Sequence, residues 1–280
     1  MRKVYLIPNL VTAFGLACGL FVIFRMNMIE PGTSTYSLLY MSAILLLIAG
    51  VADVLDGAIA RFIHAESEFG CQFDSLSDAI TFGVAPTVTI LKTLSAPQGS
   101  ELSFFAMTGA LIYSVCGVLR LVRFNVKSLE SKKNELLQKT HNKHFTGLPI
   151  TVAAIAAISM NLFLVSDDFE RWFSLSSDTK TIVLIATMVV LGYFMVSRWK
   201  FPSAKALHFR VKSIHLVFIT VLMAVLLLYG VFYHFALLFM AVSWIYIIVA
   251  WSLSIARVIA GKKSKTLEDF EPEPDDLDDF

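Results

Sequence analysis

The chain has 280 residues, of which 56% are hydrophobic and only 16% are charged, and its formal net charge is +1. A mean hydropathy of +0.70 excludes an ordinary soluble domain and indicates a helical protein with many membrane spans. Cys18, Cys71 and Cys116 lack the spacing of a zinc site or a disulfide framework. We therefore expect membrane lipids, and no nucleic acid, among the partners of this chain.

Apolar runs of about twenty residues predict eight membrane-spanning helices, because a helix of that length crosses the hydrocarbon core. The predicted spans cover residues 8–24, 36–62, 71–94, 103–125, 148–165, 180–197, 213–230 and 235–256. The first run could instead be a signal peptide, since Arg2 and Lys3 precede its apolar core. Pro8 and Asn9 interrupt its start, so we predict a retained span. The predicted fold class is all-α, a polytopic membrane helix bundle.

The basic residues predict which ends of the spans face the cytoplasm. With a cytoplasmic N-terminus, nineteen of the 23 lysines and arginines fall in inner segments. The positive-inside rule then places both termini in the cytoplasm. The predicted membrane domain covers residues 1–260. Residues 261–280 are rich in acidic side chains, which predicts a disordered cytoplasmic tail.

Four aspartates stand out in the second and third predicted spans. The segment reads Asp53-Val-Leu-Asp56-Gly57-Ala-Ile-Ala60-Arg61 and, eight residues later, Gly70-Cys-Gln-Phe-Asp74-Ser-Leu-Ser-Asp78. Spacings of three and four residues put each pair of carboxylates on one face of its helix. Four carboxylates around one point cannot all stay ionised without cations between them. All-oxygen ligation favours Mg²⁺ or Mn²⁺.

The predicted topology places these carboxylates at the cytoplasmic end of the bundle, at the depth of a lipid phosphate. A transporter that uses intramembrane aspartates would have its site near the midplane, between structural repeats. No internal repeat is apparent in the sequence, so a transporter is a remote alternative. A structural scaffold with a degenerate site is a third interpretation, which the intact aspartate pattern opposes.

The spacing D-x2-D-G-x2-A-R-x8-G-x3-D-x3-D resembles the signature of the CDP-alcohol phosphatidyltransferase family, and all eight fixed positions match. The resemblance implies transfer of a phosphatidyl group from a CDP-lipid to an alcohol, with release of CMP. It implies two divalent cations, Mg²⁺ or Mn²⁺, at Asp53, Asp56, Asp74 and Asp78. Asp78 is also the candidate catalytic base. Dimers occur in the family, so the resemblance implies a homodimer.

The CDP-lipid is expected to bind beside this motif. The residues expected to contact it are Asn9, Thr12, Gly57, Ala60, Arg61, Ser67 and Gly70. Gly57 leaves room for a nucleotide against the helix backbone, and Arg61, one turn further on, would reach a phosphate. For Asn9 and Thr12, capping of the first helix is an alternative.

Three further stretches resemble the membrane-embedded phosphatidylserine synthases of bacteria and archaea. They are residues 8–12, residues 82–86, and residues 120–125 followed by 147–149. This resemblance implies CDP-diacylglycerol and L-serine as substrates, in a bacterial inner membrane with the active site facing the cytoplasm.

A serine site needs a cation for the carboxylate and a hydrogen-bond acceptor for the ammonium group, and Arg120 or Arg123, with Asn125, could supply these. Anchoring of these arginines at the membrane surface is the alternative. Glycerol 3-phosphate would also use the arginines and inositol would not require them, so the acceptor alcohol stays open.

Overall fold

The computed structural model describes residues 6–63, 67–97, 99–131, 144–197, 199–202, 230 and 233–260. In chain order the first elements are α1 (Leu6–Asn27), α2 (Tyr36–Phe62), α3 (Glu68–Asp78), a π-helical segment (Ala79–Val84), α4 (Ala85–Thr93) and α5 (Glu101–Ser131). The others are β1 (His144–Thr146), α6 (Ile150–Leu164), α7 (Asp167–Trp172), α8 (Ser177–Val196), β2 (Lys200–Pro202) and α9 (Phe235–Ala260).

Five of these helices are long and apolar enough to cross a membrane, namely α1, α2, α5, α8 and α9. They indicate an integral membrane protein and coincide with the first, second, fourth, sixth and eighth predicted spans. The third predicted span is occupied by α3, the π segment and α4, which follow one another without a break. Residues 213–229 of the seventh predicted span, and the predicted tail, lie outside the described residues.

The fifth predicted span is the 15-residue helix α6, which is shorter than a usual membrane-spanning helix. Its buried residues, among them Ile150, Ala156, Ser159 and Leu162, point in all directions around the helix axis. It contacts α2, α4, the π segment, α7 and α8. A helix that is apolar all round is a core helix, so α6 forms the centre of its packing unit.

The contacts divide the chain into two compact units, Met1–Phe124 with Pro149–Val196, and Asn125–Leu148 with Ser197–Phe280. The four aspartates belong to the first unit. In the second unit β1 and β2 pair antiparallel, with Phe145 opposite Phe201. The Gly147 amide donates to the Trp199 carbonyl at 2.9 Å, and α9 packs against β2. This short ladder is a small addition to the predicted all-α architecture.

Helix α1 is packed into the first unit, where it contacts α2, α3, α4 and the π segment. Gly19 of α1 meets Thr81 of the π segment so closely that a Cβ at Gly19 would lie 2.8 Å from the Thr81 Cα and 2.6 Å from its Oγ1. Close approach of helix backbones through small residues is typical of membrane bundles. Helix α1 is thus part of this packing unit, and its retention as a membrane span stays a prediction.

We expect Gly19→Ala to destabilise the protein by about 1–3 kcal/mol, because the added methyl group forces the two backbones apart. Thermal unfolding in detergent measures the effect. Gly50→Ala is the matched control, since a Cβ at Gly50 meets nothing within 4 Å and alanine favours a helix over glycine. Equal melting temperatures for the two variants would contradict the proposed contact.

Candidate active site

Three of the four aspartates come together in the first unit. Asp53 and Asp56 of α2 and Asp74 of α3 each present an oxygen atom, and these three atoms lie within 4.8 Å of one another. Asp53 stands about 25 Å along α2 from its first residue, at 1.5 Å per residue. The cluster therefore lies towards the C-terminal end of α2 and not at its middle.

Asp78 follows Asp74 by one helical turn and is not part of this group of three close oxygens. It does line the same cavity as the other three aspartates. The cavity is bounded by the four aspartates together with Thr12, Gly15, Ala49, Ser77, Thr81 and Phe82. Helices α1, α2 and α3 and the π segment thus all contribute to its wall. The motif spacing predicted that carboxylates of α2 and α3 meet, and the structure adds α1 as the helix that contacts both α2 and α3.

Asp56 is the most buried of the four aspartates, with 4% of its surface exposed. The Thr12 hydroxyl donates to its Oδ2 at 2.5 Å. Thr12 lies in the second turn of α1, which begins at Leu6, so it supports Asp56 and does not cap the helix. The first helix therefore orients a carboxylate of the second.

The residues expected to bind the CDP-lipid form two sets, and the members of each set are neighbours in the structure. The Ser67 hydroxyl caps α3 by accepting from the Gly70 amide at 3.0 Å. A Cβ at Gly70 would lie 3.1 Å from Ser67 Oγ and 3.2 Å from Asn9 Oδ1, so these three residues are neighbours. The Arg61 guanidinium extends back along α2 over Gly57, where an added Cβ would be 3.5 Å from its Nη1. Ala60 is half-buried on the same helix.

The two arginines of α5 have different partners. Arg120 is in electrostatic range of Asp78 and Asp53, and its guanidinium carbon lies 5.6 Å from the centre of the Phe124 ring. Arg123 instead donates from Nη1 to the Val196 carbonyl at 2.9 Å, which satisfies an acceptor at the C-terminal end of α8. Of the pair, Arg120 is thus the arginine in electrostatic range of the aspartates. Asn125 lies five residues further along α5, and its contact with an acceptor alcohol stays a prediction.

The π segment was not predicted from the sequence. It begins directly after Asp78, and it supplies Thr81 and Phe82 to the cavity. Pro86, inside the third predicted span, is the signal that could have revealed it, because a proline within a helix removes one hydrogen bond and disturbs the preceding turn.

The donor set fits a divalent cation. Three carboxylate oxygens within 4.8 Å of one another form a hard ligand group of the kind that Mg²⁺ and Mn²⁺ prefer. Without a cation their negative charges repel one another in a partly buried site. The aspartate cluster could therefore hold a metal ion.

We expect Thr12→Val to weaken Mn²⁺ binding by about 10–100-fold, the usual effect of removing a partner that orients a metal ligand. The signal of free Mn²⁺ in electron paramagnetic resonance measures binding to the purified protein without substrate. Thr108→Val is the control, because the exposed Thr108 hydroxyl donates only within its own helix, to Phe104. Identical Mn²⁺ affinities in the two variants would show that the Thr12–Asp56 bond has no part in metal binding.

Comparison with known proteins shows the family to which the chain is similar. A family model described as CDP-alcohol phosphatidyltransferase matches residues 5–193. A Helicobacter pylori protein named CDP-diacylglycerol–serine O-phosphatidyltransferase is 29% identical over 262 residues, which cover 94% of this chain and 98% of that protein.

Two further relatives carry the same name. The Bacillus subtilis protein is 31% identical over 203 residues, which are 71% of this chain and 91% of that protein. The Methanocaldococcus jannaschii protein is 28% identical over 207 residues, which are 72% of this chain and 77% of that protein. The similarity therefore extends well beyond the aspartate motif.

Proposed function

Because the chain belongs to the CDP-alcohol phosphatidyltransferase family, we propose that it transfers the phosphatidyl group of CDP-diacylglycerol to L-serine. The products are phosphatidylserine and CMP. The observation that carries this proposal is the meeting of Asp53, Asp56 and Asp74 at one point, in a cavity that Asp78 also lines. The names of the three relatives support serine as the acceptor.

The reaction exchanges one phosphorus–oxygen bond for another. The serine hydroxyl oxygen attacks the phosphorus that carries the diacylglycerol, and the bond from that phosphorus to the oxygen of CMP breaks. The hydroxyl proton must leave during the attack. The reaction therefore needs a proton acceptor beside serine and positive charge beside the pyrophosphate.

The four aspartates would hold two divalent cations, Mg²⁺ or Mn²⁺. When bound, such ions stabilise the charge of the pyrophosphate and lower the energy needed to ionise the attacking hydroxyl. We assign the serine proton to Asp78, since it stands apart from the three close oxygens and lines the same cavity. Thr12 keeps the Asp56 carboxylate in one orientation through its short hydrogen bond.

We propose that the CDP-lipid binds along α2 and the start of α3. Gly57 lacks a side chain next to Asp56, and the Arg61 guanidinium beside it suits a phosphate oxygen. Ala60 keeps the neighbouring helix surface small. The adjoining Asn9, Ser67 and Gly70 offer a polar patch to the nucleotide. Thr12 and Asp56 connect this patch to the aspartate cluster.

The proposed membrane placement follows from the distribution of basic residues. Eight spans with both termini in the cytoplasm put the aspartates at the cytoplasmic face of a bacterial inner membrane. Residues 1–260 form the catalytic membrane domain, which we propose works as a homodimer, and residues 261–280 form an acidic tail. The position of the cluster towards one end of α2 supports a site at the lipid headgroups and disfavours a transport site at the midplane.

We expect the purified protein, supplied with CDP-diacylglycerol and Mn²⁺, to release CMP when serine is added. Separate reactions with glycerol 3-phosphate and with inositol test the alternative acceptors. Asp78→Asn should abolish CMP release with every acceptor, because the proposed proton acceptor is lost, whereas Asp178→Asn in the first turn of α8 should retain it. Release driven by another alcohol and not by serine would reassign the acceptor, and full activity of Asp78→Asn would exclude its assigned role.

Arg120 is the side chain that we propose binds the serine carboxylate. Arg120→Gln should raise the KM for serine about ten-fold or more, since a hydrogen bond between charged groups is lost, and should change the KM for CDP-diacylglycerol less. Arg123→Gln is the matched comparison. It should lower the melting temperature through loss of its bond to Val196 and leave the serine KM nearly unchanged. Steady-state kinetics with each substrate varied gives both KM values. A larger rise in the serine KM for Arg123→Gln than for Arg120→Gln would contradict the assignment of Arg120.

A further inference from the structure

The π segment begins at Ala79, directly after Asp78, the fourth aspartate of the motif. The backbone hydrogen bonds of Ala79–Val84 join residues five apart and not four apart. An example is the bond that the Ala85 amide donates to the Ile80 carbonyl. Segments of this kind are rare and are frequent at functional sites. Here the segment directly follows Asp78 and carries Thr81 and Phe82, which line the cavity of the aspartates.

Pro86 gives the chemical reason for the unusual turn. In a regular helix the residue at position 86 would donate its amide to the Phe82 carbonyl, but proline has no amide hydrogen and its ring crowds that carbonyl. The Phe82 carbonyl therefore loses its normal partner. An unpaired carbonyl that is buried in an apolar bundle is costly, so another group has to donate to it.

Adjacent residues of α5 donate to this part of the backbone. The Tyr113 hydroxyl donates to the Phe82 carbonyl at 3.2 Å, and the Ser114 hydroxyl donates to the Gly83 carbonyl at 2.8 Å. Tyr113 is fully buried, with 0% of its surface exposed. These bonds span 31 residues of sequence and fix the π segment to α5.

The same helix also carries Arg120, which is two turns beyond Tyr113 and in electrostatic range of Asp78 and Asp53. Residues seven apart lie on one face of a helix. One face of α5 therefore donates a hydroxyl to the π segment and carries a guanidinium in electrostatic range of two of the aspartates. Movement of the π segment relative to this face would displace Asp78, since the two are adjacent in the chain.

We propose that Tyr113 and Ser114 are positioning residues that hold the π segment so that Asp78 faces Asp53, Asp56 and Asp74. This inference rests on the proposed function, because the geometry that they maintain is that of the metal and proton-transfer site. Neither hydroxyl needs to touch a substrate. Their effect passes through the backbone at Phe82 and Gly83, one turn beyond Asp78.

The test uses the full-length protein in detergent, with Tyr113→Phe, Ser114→Ala and the double variant. Mn²⁺ binding without substrate is followed by electron paramagnetic resonance, CMP release with serine gives kcat and the KM for CDP-diacylglycerol, and thermal unfolding gives stability. We expect the double variant to bind Mn²⁺ about ten-fold more weakly and to lose kcat, with little change in the KM for CDP-diacylglycerol. Ser114→Thr, which keeps a hydroxyl, should restore both properties relative to Ser114→Ala.

Thr108→Val is the control on the same helix, since its exposed hydroxyl donates only to Phe104. The proposal is overturned if the double variant has a lower melting temperature but the Mn²⁺ affinity and kcat of the unmodified protein, because the hydroxyls would then be structural only. Should the double variant not fold, Ser114→Ala is compared with Ser114→Thr. Equal Mn²⁺ affinity and equal kcat in these two variants would then overturn the proposal. If no acceptor yields CMP with the unmodified protein, the proposed function fails, while the comparison of Mn²⁺ affinities still tests the positioning role.

Discussion

Repulsion between carboxylates in an apolar bundle is the constraint on which the rest of this structure depends. Bringing three aspartate oxygens within 4.8 Å of one another is unfavourable unless positive charge or hydrogen-bond donors surround them. The chain supplies such groups from several helices. Thr12 donates to Asp56, Arg61 of α2 lies in electrostatic range of Asp56, and Arg120 of α5 lies in electrostatic range of Asp53 and Asp78. A divalent cation between the carboxylates would complete the balance of charge.

Small residues allow the helices to come close enough for these contacts. Gly19 admits the backbone of the π segment to α1, and Gly117 of α5 faces the end of the Ile150 side chain, to which an added Cβ would be 2.9 Å away. In a membrane, where apolar burial adds little between helices, close packing and hydrogen bonds hold a bundle together. The tight crossings therefore determine where the polar groups can meet. A substitution that widens one of these crossings would therefore also move the polar groups of the site.

The aspartate cluster and the long apolar helices could be predicted because local spacing encodes them. A carboxylate three or four residues from another shares its helix face, whatever the tertiary structure. The division between Arg120 and Arg123 could not be predicted, because it depends on the position of the Val196 carbonyl, 73 residues away. The π segment depends equally on distant hydroxyls of α5, although Pro86 marks its place. Burial of α6 on all sides likewise follows from its neighbours, and composition alone suggested an ordinary span.

The hydrogen bond between Thr12 and Asp56 joins two helices that are synthesised early in the chain. All four aspartates and the threonine lie within the first 78 residues, and Arg120 is synthesised later. A nascent chain that has delivered only α1 to α3 to the bilayer thus holds every acidic group of the site together with Arg61, but without the guanidinium of Arg120. At that stage water and lipid headgroups must solvate the carboxylates, which a site near one end of α2 allows. Insertion of the chain and assembly of its charges therefore proceed in a fixed temporal order.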